Sequence, residues 1–244
     1  MVNSKVIREA LVYYEEGNES RWIDAVGNNV VKRILAPGMA SNDAAPYKPT
    51  SLITTVTETG AGSCTIVPSA TAGEVLVLTT DDAEYEGLNV QLRGEAFKIS
   101  TGKPFYFGIK CKISDATQSD LLVGMCQLKT DLLKTAAAHG VTAAAVEGLF
   151  FLKADAATTI KAKGYLVGVE VLTANAATVE DTAMHIYEIY YDGATVYWYL
   201  DGLLVTSLAA SLPTEDLTPS INVRAGENAA KVLRIAWMKA IQIN

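Results

Sequence analysis

The chain has 244 residues, half of them hydrophobic, and 20 Lys and Arg against 27 Asp and Glu give a formal net charge of −7. A chain this apolar must bury much of itself, which excludes disorder through most of its length, and the length suits one large β domain, alone or with an appendage. The acidic balance argues against a nucleic-acid binder, because phosphate contacts need clustered Lys and Arg.

The first fifty residues differ from the rest. Asn3 or Ser4 can cap a short helix in which Ile7, Ala10, Leu11 and Tyr14 recur at helical spacing, with Gly17 to end it. Trp22 and Ile23 follow in a polar stretch, and Val30–Leu35 reads as a strand. APGMASNDAAPYKPT, with Pro37, Pro46 and Pro49, reads as an extended linker. The division is thus an N-terminal arm and linker over 1–50 and a β body over 51–244. Charges at Lys5, Arg8, Glu9, Glu15 and Glu16 leave no signal-peptide core. Apolar runs such as Leu149–Leu152 fall far short of the roughly 20 residues of a membrane helix. The expectation is a protein made and kept in a cytosol until the cell opens, with no membrane contact.

From residue 51 the pattern turns to strands. Phe105, Phe107, Ile109, Cys111 and Ile113 share one face of a run whose other face carries Lys110 and Lys112. Shorter runs recur at 52–57, 74–79, 88–93, 121–128, 149–153, 159–162 and 167–172, separated by Gly, Asp, Asn, Thr and Ser. Only Thr130–Ala138 and Thr142–Val146 look helical, as an Ala-rich insertion between strands. Met184–Tyr191, Val196–Leu200 and Leu203–Leu208 are joined by Asp192-Gly193 and Asp201-Gly202, which predicts a three-stranded antiparallel meander. Pro219–Arg224 and Val232–Ile243 supply two more strands, the last placing Leu233, Ile235, Trp237, Ile241 and Ile243 on one face. The fold class is all-β, a sandwich or jelly roll.

Tyr191-Asp192-Gly193 followed by Val196-Tyr197-Trp198-Tyr199-Leu200-Asp201-Gly202 resembles the concanavalin-like jelly-roll superfamily, which includes laminin-G domains and legume lectins. That resemblance covers roughly 51–244 and concerns fold, not activity. LAPGMASNDAAP, GLNVQLRGEAFKISTGKPFYFGIKCKISDATQSDLLVGM and DGLLVTSLAASLPTEDLTPSINVRAGENAAKVLRIAWMKAIQI resemble a family of tailed-bacteriophage virion proteins thought to decorate or cement the capsid. It implies many copies on the head surface, assembly in the host cytoplasm, the major capsid protein as partner, a homo-oligomer (dimer or trimer) and an N-terminal segment against the shell. Leu11, Tyr14, Trp22, Lys32 and Arg33 are the candidate contacts in that segment.

A concanavalin-like fold invites a test for glycosidase chemistry. Paired carboxylates on one strand face, about 5–5.5 Å apart, would be needed, in an E-x-D-x(-x)-E pattern. None occurs. Asp81-Asp82-Ala83-Glu84-Tyr85-Glu86 lies between strands and reads as a solvated acidic turn, and Glu188 stands alone on its strand. A lectin reading remains open: Tyr197 and Tyr199 share one face of their strand, opposite Val196, Trp198 and Leu200, as a stripe that either binds a glycan or pairs across strands. Cys64, Cys111 and Cys126, an odd and irregular set, read as inert buried thiols rather than metal ligands or a nucleophile. His139 and His185 are far from them in sequence, and His185 reads as packed or on the surface. No catalytic residue, cofactor or metal ligand is assigned, and the chain is expected not to be an enzyme.

Overall fold

The computed structural model describes residues 52–57, 63–95, 97–133, 140–141, 146–178 and 180–243, and before these the backbone of four strands. Among the described residues the strands are, in chain order, β1 (Val2–Ile7), β2 (Ala10–Glu15), β3 (Asn18–Val26), β4 (Val30–Leu35), β5 (Leu52–Thr57), β6 (Thr65–Pro68), β7 (Leu76–Thr79), β8 (Gly87–Leu92), β9 (Phe97–Lys98) and β10 (Phe105–Ile113). There follow β11 (Ser119–Cys126), β12 (Gly148–Lys153), β13 (Thr159–Leu166), β14 (Val169–Thr178), β15 (His185–Tyr191), β16 (Val196–Leu200), β17 (Leu203–Leu208), β18 (Asp216–Ala225) and β19 (Val232–Ile243).

Two eight-stranded antiparallel sheets form a sandwich. The meander sheet runs β17-β16-β15-β10-β19-β7-β6, with β4 also paired to β19, and the opposing sheet runs β14-β13-β12-β11-β18-β8-β5, with β9 also paired to β18. The face read for β10 is its core face: Phe105, Phe107, Ile109, Cys111 and Ile113 enter the core with Leu121, Val123 and Met125 of β11 and Leu149 and Phe151 of β12 from the facing sheet, while Tyr106 and Gly108 of the other face are buried as well. The meander is present as read. Asp201 and Gly202 both have positive φ, 51° and 82°, as a two-residue hairpin turn with right-handed twist requires. The other connection is wider, because Tyr191 pairs with Val196. There the Asp192 carboxylate accepts from the N–H groups of Ala194 and Thr195 at 2.8 and 2.7 Å and holds a four-residue loop.

Two expectations fail for physical reasons. The helix read near the N-terminus is instead a hairpin within a separate three-stranded sheet, β1-β2-β3, in which Val6 pairs with Leu11 and Tyr14 with Trp22. Ile7, Leu11 and Tyr14 satisfy helical spacing by coincidence, while Val2, Val6, Val12, Tyr13, Trp22 and Ile23 are β-branched or aromatic and favour an extended chain. The face read for β19 also breaks. Lys110 pairs with Trp237 but Cys111 with Ile235, so Ala236 is an extra residue in the strand. This bulge swaps the faces. Leu233 and Ile235 point into the core, but beyond the bulge Met238 and Ala240 do so, not Trp237 and Ile241.

The strand read at 30–35 pairs with the last third of β19, Leu35 opposite Lys239 and Arg33 opposite Ile241, next to the stretch that β7 covers. The linker read over 36–50 lies outside the described residues. So does most of the helical insertion, 134–139 and 142–145; its described part shows Leu133 bridged to Val141.

Candidate functional site

The outer face of the meander sheet is rich in aromatic residues, buried at Tyr106 and Tyr190 and half-buried at Tyr197, Tyr199 and Trp237. Register places Ile241, Tyr106, Tyr190 and Tyr197 in one cross-strand row and Lys239, Gly108, Glu188 and Tyr199 in the next. Tyr197 and Tyr199 are half-buried and alternate with the buried Val196, Trp198 and Leu200, as their strand pattern predicts. Tyr190 stacks on Tyr197 with ring centroids 6.3 Å apart at 22°, and Tyr197 lies 6.5 Å from Tyr199. A Cβ on Gly108 would stand 2.3 Å from the Tyr106 hydroxyl oxygen and 3.1 Å from a Trp237 ring carbon. Glycine there leaves the space into which both rings lean. The Lys239 ammonium lies 5.5 Å from the centroid of the Trp237 ring.

Polar groups tie this face down. The Tyr106 hydroxyl donates to the buried Glu188 carboxylate at 2.8 Å, and the Tyr197 hydroxyl to Asp192 at 3.1 Å. Burial raises the Tyr190 phenol well above its ordinary value. Sequence reasoning found Tyr197 and Tyr199 but missed Tyr106, Tyr190, Trp237 and Lys239. Tyr106 was legible in the alternation that buries Phe105; Trp237 was not, because its orientation depends on the bulge at Ala236.

The outer face of the opposing sheet is closed by the chain itself. Leu122, Cys126, Phe150 and Leu152 point away from the main core and form a second one with Leu132, Leu133, Val141 and Val146. Next to it the strap 127–131 crosses β8 and β18 on side-chain hydrogen bonds. Gln91 uses its amide as a peptide unit would, accepting from the Lys129 N–H and donating to the Gln127 carbonyl, both at 2.9 Å. Its N–H also reaches the Ser220 hydroxyl at 2.8 Å, and Asn89 donates to the Lys129 carbonyl at 2.6 Å. Arg224, its side chain 2% exposed, bonds Asp131 at 2.6 Å and the Tyr85 carbonyl at 2.7 Å. The Asn222 amide, fully buried between Leu122 and Asn89 in register, meets no hydrogen-bond partner among the described residues.

A cavity of about 30 Å³ opens at one end of the sandwich between Ile113, Leu121, Lys153, His185, Tyr187 and Leu200. That volume holds a water or two rather than a substrate. Burial pulls the Lys153 ammonium down to about 8, and its N–H groups donate to the Thr117 and Ser119 carbonyls at 2.6 and 2.7 Å. Burial also lowers His185, but hydrogen bonds with Asp201 and Glu180, each 2.6 Å, outweigh it and raise the imidazole above 6.5. The histidine read as packed or on the surface thus clasps the β16–β17 turn to the segment entering β15.

The remaining candidates scatter. Glu86 of the acidic turn is buried rather than solvated, and its backbone pairs with Ala225. Among the described residues no three His, Cys, Asp or Glu side chains are grouped as metal ligands. Cys111 and Cys126 are buried free thiols that desolvation pushes far up, whereas Cys64 is half-buried and accepts from the Asp81 N–H at 3.3 Å. By backbone, Leu11 and Tyr14 lie on β2 and Trp22 on β3 of the small sheet, while Lys32 and Arg33 lie on β4 of the meander sheet; their side chains are outside the described residues.

This architecture is a concanavalin-like jelly roll, the class to which the similar solved structures belong. The carbohydrate recognition domain of Emp47p superposes with a TM-score of 0.57 at 12% identity, over 86% of this chain and 95% of its own. A Bacillus licheniformis β-glucanase does so at 0.55 and 14%, over 85% and 97%. A carbohydrate esterase from a Shiga toxin-encoding bacteriophage gives 0.50 and 14%, over 86% and 97%. At such identities the likeness is one of fold. No protein-family model matches the chain, and no curated protein matches it.

Proposed function

We propose that this chain is a non-enzymatic structural protein of a phage virion that decorates and stabilises the capsid, with the major capsid protein as its partner. The motifs over 35–46, 87–125 and 201–243 bring the reading to this family. The structural observation that supports it is the closed outer face of the opposing sheet. Asn89, Gln91 and Ser220, the polar groups at its centre, hold the strap 127–131 rather than a substrate, so the body offers no groove there. A subunit that touches two shell proteins adds contact area present only in the assembled head and stabilises it by mass action. Many copies let weak individual contacts suffice.

The test is co-sedimentation with undecorated heads of the phage that encodes the chain. Because β4 is a strand of the body, the informative truncation removes 1–26 and keeps 30–35. Pelleting of the full chain at saturable, fixed stoichiometry, lost on truncation, supports both the role and the arm. Failure of the full chain to pellet refutes the role.

A second reading, a glycan-binding module for host adhesion, is favoured by the half-buried aromatic residues Tyr197, Tyr199 and Trp237. It predicts glycan-array binding that Tyr197→Ala with Tyr199→Ala abolishes and that removal of 1–26 leaves intact.

A further inference from the structure

Some side chains of the meander sheet are buried without belonging to a core. Ile241, Tyr106 and Tyr190, consecutive in one cross-strand row of the outer face, are 2%, 2% and 5% exposed, yet none joins either hydrophobic cluster. In the next row Glu188 is 3% exposed. Neighbours within the sheet do not account for this. Tyr197 continues the first row and Tyr199 the second, and both stay half-buried. Between Lys239 and Glu188 stands Gly108, which has no side chain to lend. A side chain on an open sheet face keeps contact with water, so a further layer lies over this row. Both hydrophobic clusters are elsewhere, one between the sheets and one outside the opposing sheet.

The chain itself brings a layer to this place. β4 pairs with β19, setting Val30 opposite Ile243 and Arg33 opposite Ile241, where the buried row begins. Only residues 27–29 separate β4 from Val26 at the end of β3, a reach of about 14 Å at most. The sheet β1-β2-β3 is thus tethered at one corner of the face in question. It also needs a surface, because three short strands hold together in water only when they bury an apolar side. Register gives it one: Ile7 with Ala10, Val12 with Ala25 and Lys5, and Tyr14 with Trp22 and Asn3 fall on a common side.

We infer that the sheet β1-β2-β3 folds back over the outer face of the meander sheet of its own chain, through the side that carries Tyr14 and Trp22, and covers Ile241, Tyr106, Tyr190 and Glu188. Tyr197, Tyr199, Trp237 and Lys239, all half-buried, mark the rim of its footprint. The arm is then a built-in competitor for this face. A ligand or partner reaches the covered tyrosines only when the arm lifts, whereas the rim stays accessible. The inference concerns the isolated subunit and stands independently of the virion reading.

Hydroxyl-radical footprinting of the full chain, read by mass spectrometry, tests it. Tyr106 and Tyr190 should react more slowly than Tyr197 and Tyr199, and removal of 1–26 should raise both rates several-fold. Tyr190→Lys in the full chain, at a position outside both cores, keeps the test open should the shortened chain fold poorly. It sets a charge beneath the arm, so chymotrypsin should cut at Tyr13, Tyr14 and Trp22 faster than in the wild type. Four results overturn the inference: Tyr106 and Tyr190 as reactive as Tyr197 in the full chain, protection that survives removal of 1–26, an arm no more cleavable in Tyr190→Lys, or protection lost as a dimer dissociates in sedimentation velocity, which would place the arm on a second copy.

Discussion

Gln91 and Asn222 stand on the same buried face, yet the same substitution should affect them in opposite ways. Gln91→Leu removes hydrogen bonds to the Lys129 N–H, the Gln127 carbonyl and the Ser220 hydroxyl. The first two are backbone groups left without a side-chain partner. Both residues are half-buried, so each loss belongs in the lower part of the usual range, about 1–1.5 kcal/mol, for a total of about 2–3 kcal/mol. For a chain of this size that is a fall of about 5–10 °C in Tm. Asn222→Leu deletes an amide that meets no partner among the described residues, so desolvation is relieved and stability should hold or rise, within about 1 kcal/mol. Urea unfolding of the two variants beside the wild type measures both. Amide exchange at Leu132 and Leu133 reports whether the strap opens locally before the body unfolds. Equal losses, or a Gln91→Leu loss below about 0.5 kcal/mol, would refute the reasoning that Gln91 is what holds the strap.

Gly108→Ala should displace the Tyr106 ring and Trp237, shifting tryptophan fluorescence and near-UV dichroism and costing about 1–3 kcal/mol, while the far-UV spectrum holds. His185, raised above 6.5, contributes stability that is complete below 6.5 and is lost as pH climbs through its folded value; His185→Gln should abolish that fall. Lys153 has the opposite signature: held down to about 8 against 10.5 when unfolded, it makes stability rise with pH between those values, and Lys153→Met should flatten that limb. Urea midpoints from pH 5.5 to about pH 10.5 read both.

Local signals decided what was legible in the sequence. The core of β10, the outward stripe of Tyr197 and Tyr199, and the Asp201-Gly202 turn follow from period-two alternation and from the positive φ that turn requires. Trp237 fails the same test because a bulge is a relation between two strands, and no pattern within β19 announces that Ala236 is the extra residue. The arm fails for a related reason. Ile7, Leu11 and Tyr14 fit the helical period, and pairing overrode it, with Val6 meeting Leu11 and Tyr14 meeting Trp22. The strap was the least legible part. Gln91 and Asn89 appear in the sequence as ordinary polar positions of a half-exposed strand, and only Gln127 and Lys129, some forty residues later, make them interior. The closed face was therefore not readable from any one segment. It arises because an insertion supplies both an apolar cluster for Leu122 and Phe150 and backbone groups for the amides beside them. Replacing Asn89 and Gln91 together should therefore loosen the strap 127–131 while the β body stays folded.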